Sequence, residues 1–118
     1  MRVLIADDDR LVRAMLGDLL TGLGHAVEVA EDGAEAVKLC DRQPPDLLIL
    51  DFLMPRLSGL DALREIRRRH ATPALLITAI NQGSLGGVDG MDQVQGLLEK
   101  PFNRKSVEAA IARAVGKR

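Results

Sequence analysis

Four short apolar runs, Val3-Leu4-Ile5-Ala6, Leu47-Leu48-Ile49-Leu50, Ala74-Leu75-Leu76-Ile77 and Leu97-Leu98, punctuate this chain of 118 residues, with amphipathic stretches between most of them. Runs this short, apolar without alternation, suit strands covered on both faces rather than helices. Each run gives out at or next to a polar residue: Asp7 and Asp8, Asp51, Thr78 and Lys100. In a parallel α/β sheet such run ends lie along one edge, where open sheets place their ligand sites. Five polar side chains far apart in sequence are therefore expected to converge.

The intervening segments complete the pattern. Val12, Met15, Leu16, Leu19, Leu20 and Leu23 recur at three and four, which predicts an inward-facing helix closed around Gly22 to Gly24. Val27-Glu28-Val29 reads as a second strand, followed by a helix near Ala34 to Asp41 that Pro44-Pro45 stops. A third helix is expected over Ser58 to Arg69 with Leu60, Leu63 and Ile66 inward, ending in Arg67-Arg68-Arg69 as a solvated, dipole-complementing terminus. Ala74 to Thr78 and Gly96 to Glu99 give the last two strands, and Ser106 to Val115 the last helix, with Val107, Ala110, Ile111 and Ala114 on one side. Between the last two strands stand Gly83, Gly86, Gly87 and Gly90. Each costs a helix about 0.8 to 1.0 kcal/mol relative to Ala, roughly 3 to 4 kcal/mol together, so the fourth helix should be short, frayed or absent. Residues 81 to 93 should then be the least protected part of the chain. A βα unit repeated five times with right-handed crossovers predicts a doubly wound, flavodoxin-like α/β fold, a five-stranded parallel sheet of order 2-1-3-4-5 with helices on both faces.

Composition narrows the function classes. The length suits one domain with a self-sufficient core, so residues 1 to 118 are read as a single domain. Sixteen Lys+Arg against 17 Asp+Glu provide no global field for nucleic acid or an anionic membrane. Cys40 stands alone, which leaves no intramolecular disulfide or thiolate metal cluster and suits a reducing cytoplasm; its spacing from Ala36 and Val37 fits helix packing. Met1-Arg2 runs straight into a short apolar segment ending in three aspartates, which is neither a signal peptide nor a membrane span.

In the 2-1-3-4-5 order the switch point lies between strands one and three, so Asp7 and Asp8 face Asp51. At ~4 Å and an effective dielectric of ~20, each pair of carboxylates repels by about 4 kcal/mol. Lys100 supplies one compensating charge and a divalent cation would supply the rest. A small set of oxygen ligands with room for water and substrate favours Mg2+ over calcium or zinc, and Asp7-Asp8-Asp9 lacks the alternate spacing and closing Glu of a calcium loop. Such aspartates can also serve as helix caps, and Asp9 is placed to do so. Asp51 is not, because helix-start signals come only several residues later.

Ala6-Asp7-Asp8-Asp9, Asp51-Phe52-Leu53-Met54-Pro55, Thr78-Ala79 and Lys100-Pro101-Phe102 together closely resemble the receiver domain of two-component response regulators. The match runs in order over nearly the whole chain. The resemblance implies that Asp51 is the phosphoacceptor for a histidine kinase or histidine phosphotransfer protein, and that Asp7, Asp8, Asp51 and the backbone carbonyl of Leu53 hold Mg2+. It also implies that Thr78 contacts the phosphoryl group, that Lys100 pairs with it, and that the Lys100-Pro101 bond is cis. An ionised Asp51 attacking phosphorus in line needs no general base. In the family the side chains two residues after the nucleophile and two after the threonine flank the approach of water; here these are Leu53 and Ile80, neither able to orient one, which implies a long-lived phosphoryl group.

Leu97 stands where many receivers carry Tyr or Phe, so the family's threonine-to-aromatic coupling does not carry over, and the glycine-rich segment leaves dimerisation through the usual face open. Two other readings compete with the phosphoacceptor: a degenerate receiver serving as a protein-binding module, and a Mg2+-dependent aspartyl-phosphate phosphatase. The phosphatase would need a second Asp two residues after the nucleophile, where Leu53 stands. Met1 close to the first strand favours an N-terminal domain. The end of the chain after the last helix fits either a single-domain regulator or a receiver whose effector lies beyond Arg118.

Overall fold

The structure, a computed structural model, describes residues 1–79 and 90–116. Among the described residues its elements follow the order β1 (Arg2–Ala6), α1 (Arg10–Gly22), β2 (Ala26–Ala30), α2 (Gly33–Arg42), β3 (Leu47–Asp51), α3 (Gly59–Arg67), β4 (Ala74–Thr78), β5 (Gly96–Glu99) and α4 (Arg104–Val115), with a 3-10 turn at Met91–Gln93 before β5. All strand pairs are parallel and the sheet order is β2-β1-β3-β4-β5, as the alternation of segments predicts.

The apolar runs form strands because both of their faces are covered. β3 and β4 are buried at every position, whereas β2, at an edge, exposes Ala26 and Val29. On one face Ile5, Ile49 and Ile77 pack with Leu16 and Leu20 of α1 and Val107 and Ala110 of α4. On the other, Leu4, Leu48, Leu50 and Leu76 pack with Ala36 and Cys40 of α2 and Leu63 and Ile66 of α3. Each fully buried Leu or Ile contributes about 1.5–3 kcal/mol, which fixes the strands firmly beneath their polar ends. Helix starts are set by side-chain caps: Asp9 accepts from Leu11 N–H, Asp32 from Glu35, Ser58 from Asp61, and Asn103 forms a reciprocal capping box with Ser106.

Three expectations are corrected. Met15 is 54% exposed rather than inward, because α1 centres its buried stripe on Leu16 and Leu20, and Met15 falls beside exposed Leu11 at the stripe's margin. The arginine cluster is not simply solvated: half-buried Arg67 donates to the carbonyls of His70 and Gln93 and to Gln95 Oε1, while Arg69 pairs with Asp41. The last helix starts two residues earlier than its apolar periodicity shows, at Arg104, because Asn103 is the cap. Most of the segment expected to hold a weak helix, including Gly83, Gly86 and Gly87, lies outside the described residues. Gly90 has a left-handed φ of 95° at the start of the 3-10 turn. No helix among the described residues is long and apolar enough to cross a membrane.

Candidate functional site

Strand register builds the site. Ala6 pairs with Leu50, so Asp7 leaves β1 level with Asp51 at the end of neighbouring β3. One carboxylate oxygen from each of Asp7, Asp8 and Asp51 lies within 4.8 Å of the others. Asp7 is fully buried and Asp51 is 7% exposed, while Asp8 faces solvent. On the next two strands Thr78 ends β4, almost wholly buried, and its carbonyl accepts from Lys100 N–H at 3.0 Å. The Lys100-Pro101 bond is cis, as the resemblance implies. Asp51, Phe52, Leu53, Thr78, Ala79 and Lys100 line a cavity of about 120 Å³. The sequence-derived set therefore converges, with Leu53 67% exposed at the rim. Ile80 lies outside the described residues.

Asp7 is held at nearly every polar atom. Its N–H donates to the Ala30 carbonyl at 3.2 Å, its carbonyl accepts from Arg13 Nη1 at 2.8 Å, and its Oδ1 accepts from Asp9 N–H at 2.8 Å. Its Oδ2 is buried without a hydrogen-bond partner when both it and Asp51 are ionised. An orphaned carboxylate oxygen at such a site costs free energy unless a proton or a cation satisfies it.

The electrostatics match. Burial first, then the facing Asp7 carboxylate, push Asp51 up to about 6, against the pull of Lys100. Asp7 is raised too, chiefly by burial, although the Asp9 N–H and Lys100 oppose the rise. Carboxylate oxygens alone make up the acidic cluster, the donor set of a hard divalent cation such as Mg2+, and the orphaned Oδ2 fits one.

Three features escape sequence reasoning. Gly59 opens α3 directly against the end of β3, where a Cβ would overlap the Asp51 carbonyl oxygen; the only sequence signal is a glycine following a Ser cap. Arg13 reaches back to Asp7 from the first turn of α1. Arg56, at a φ of 67°, pairs with Asp32 at 2.7 Å and ties the loop after Asp51 to the start of α2. Leu97 is half-buried and packs with the Leu76 face of the sheet.

The response regulator receiver domain family model matches residues 3–112. The chain is 40% identical over 117 residues to the transcriptional regulatory protein CpxR of Klebsiella pneumoniae, covering 93% of this chain and 47% of that protein. It is 42% identical over 115 residues to the response regulator MprA of Mycobacterium leprae, covering 94% and 49%. It thus spans about half the length of the curated relatives it matches. Among solved structures, Vibrio cholerae chemotaxis protein CheY4 superposes with a TM-score of 0.88 at 29% identity, covering 96% of this chain and 97% of that one. The receiver domain of the Pseudomonas aeruginosa sensor histidine kinase PA1611, solved with magnesium coordinated in its active site cleft, gives 0.82 at 26% identity and covers 98% of each chain. With the parallel 2-1-3-4-5 sheet and the acidic strand ends, these matches lead to one conclusion: the chain belongs to the response regulator receiver domain family.

Proposed function

We propose that this domain accepts a phosphoryl group onto Asp51 from the phosphohistidine of a histidine kinase or phosphotransfer protein, with Mg2+ held by Asp7, Asp8, Asp51 and the Leu53 carbonyl. The observation that carries the reading is Asp51 closing a fully buried strand opposite an orphaned Asp7 oxygen, beside Lys100 and in a cavity open at Leu53. In the transfer an Asp51 carboxylate oxygen forms a bond to phosphorus as the phosphorus–nitrogen bond of the donor breaks. The metal, when bound, supplies positive charge against the phosphoryl oxygens and the acidic cluster. Lys100 stabilises charge gathering on those oxygens, and the Thr78 hydroxyl donates to one of them. Gly59 lets α3 begin close behind Asp51, which keeps the nucleophile's backbone from shifting. Leu53 at the rim hinders a water approaching in line and prolongs the phosphorylated state.

Because the full-length relatives include transcriptional regulators about twice as long, the downstream partner is taken to be an effector domain or protein outside residues 1–118, with no direct nucleic acid contact by this domain. A cytoplasmic location follows from the proposed donor and suits the buried Cys40 thiol. The degenerate-receiver reading draws on Leu97, which replaces the family's aromatic switch. Intact mass after incubation with a small phosphodonor separates the two. One added phosphate that requires Mg2+ and does not form when a chelator is present from the start supports the phosphoacceptor; no gain under any condition supports the binding module.

A further inference from the structure

Asp7 keeps an orphaned Oδ2 while its other polar atoms are tied down by Ala30, Asp9 and Arg13, and of these ties the one from Arg13 alone comes from a side chain. Arg13 sits one turn into α1, its own N–H donating to the Asp9 carbonyl at 3.1 Å. From there its half-buried side chain folds back, and Nη1 donates to the Asp7 carbonyl at 2.8 Å. That carbonyl belongs to the peptide group whose nitrogen is Asp8's. Fixing its plane sets both the exit direction of Asp8 and the short turn in which Asp9 N–H reaches Asp7 Oδ1. The bond goes to the Asp7 backbone carbonyl rather than to a carboxylate, so the contribution argued for Arg13 is geometric. A charge-assisted bond to a backbone carbonyl is among the stronger hydrogen bonds available to hold a loop.

We propose that Arg13 is a positioning residue for the cation site: by clamping the Asp7–Asp8 peptide it presets the spacing of the two carboxylates that β1 delivers. The proposal rests on the reading of Asp7, Asp8 and Asp51 as a Mg2+ site. Residues that orient metal ligands from behind typically govern affinity by about 10- to 100-fold. Arg13→Met keeps the stem and removes every donor, while Arg13→Lys keeps one donor at the end of a stem of similar reach.

The test is calorimetric titration of the full chain with Mg2+, for wild type, Arg13→Met, Arg13→Lys and Arg13→Gln, alongside amide hydrogen exchange of the metal-free proteins. We expect Mg2+ affinity to fall about tenfold in Arg13→Met. Most of that loss should be recovered in Arg13→Lys, and exchange at the Asp9 amide should be faster in Arg13→Met while the β3 amides stay protected. The Gln variant serves as the donor-poor form should the Met variant not fold. Wild type that binds Mg2+ with unchanged affinity and unchanged Asp9 exchange in the folded variants overturns the role of Arg13 and leaves the proposed function standing. Wild type that fails to bind Mg2+ overturns both.

Discussion

Asp41 and Asp51 are the same residue ten positions apart, and the fold treats them in opposite ways. Asp41, near the end of α2, accepts from Arg69 Nε at 3.0 Å and Nη2 at 2.7 Å and lies 2.9 Å from His70 Nε2. Those partners, Arg69 foremost, pull its carboxyl down to about 2. Asp51, at the end of β3, is buried against another carboxylate and pushed up to about 6. Where the chain needs a carboxylate for structure it provides donors from its own side chains. At the sheet edge it gathers three carboxylates, leaves one oxygen orphaned and brings up a single lysine, an arrangement that a bound cation would complete.

The largest effect expected from breaking this contrast is on metal affinity. Asp8→Ala should weaken Mg2+ binding by at least about tenfold. Because Asp51 stays in place, excess Mg2+ should partly restore phosphorylation, which a titration of phosphate gain against Mg2+ concentration reads directly.

Next comes stability. With metal chelated at pH 7, Asp51→Asn removes an unfavourably buried charge and should stabilise the fold by about 1–3 kcal/mol. Asp41→Asn removes a well-partnered charge and should lower stability slightly. Denaturant melts that moved both variants in the same direction would erase the contrast.

The pH dependence sharpens it further. Asp51 has a folded pKa raised from 3.8 to about 6, so the folded state binds the extra proton and the group's penalty grows as pH climbs through that window. The advantage of Asp51→Asn should therefore shrink steadily from pH 7 towards about pH 4. Asp41 has the opposite sign: its contribution is present above 3.8 and is lost as pH falls towards about 2. Thermal melts in chelator across this range check both.

The smallest expected effect is kinetic. Leu53→Asn, at the cavity rim, should speed loss of phosphate by less than about tenfold, under about 1.4 kcal/mol of barrier. Loss no faster than wild type would show that Leu53 does not shield the site.

What could be read from the sequence depended on backbone periodicity. Asp7, Asp51, Thr78 and Lys100 were legible because each sits at or beside the end of a short apolar run, and in a parallel sheet run ends meet whatever their separation in sequence. Asp9 was legible as a cap for the same local reason. The bond from Arg13 to Asp7 and the ties from Arg69 and His70 to Asp41 were not, since they depend on how far long side chains fold back across turns and between helices. Met15 was misplaced because a repeat of three and four admits residues at the margin of the buried stripe, where packing rather than periodicity decides. Gly59 was silent because close approach to the Asp51 carbonyl is a property of two segments meeting, visible in neither alone.

The central claim is that Asp51 receives the phosphoryl group, and intact mass of wild type against Asp51→Asn, each incubated with a small phosphodonor and Mg2+, tests it most directly. The account predicts one phosphate per wild-type chain and none on Asp51→Asn, although that variant remains folded. Phosphate gained by Asp51→Asn at the wild-type rate would contradict it.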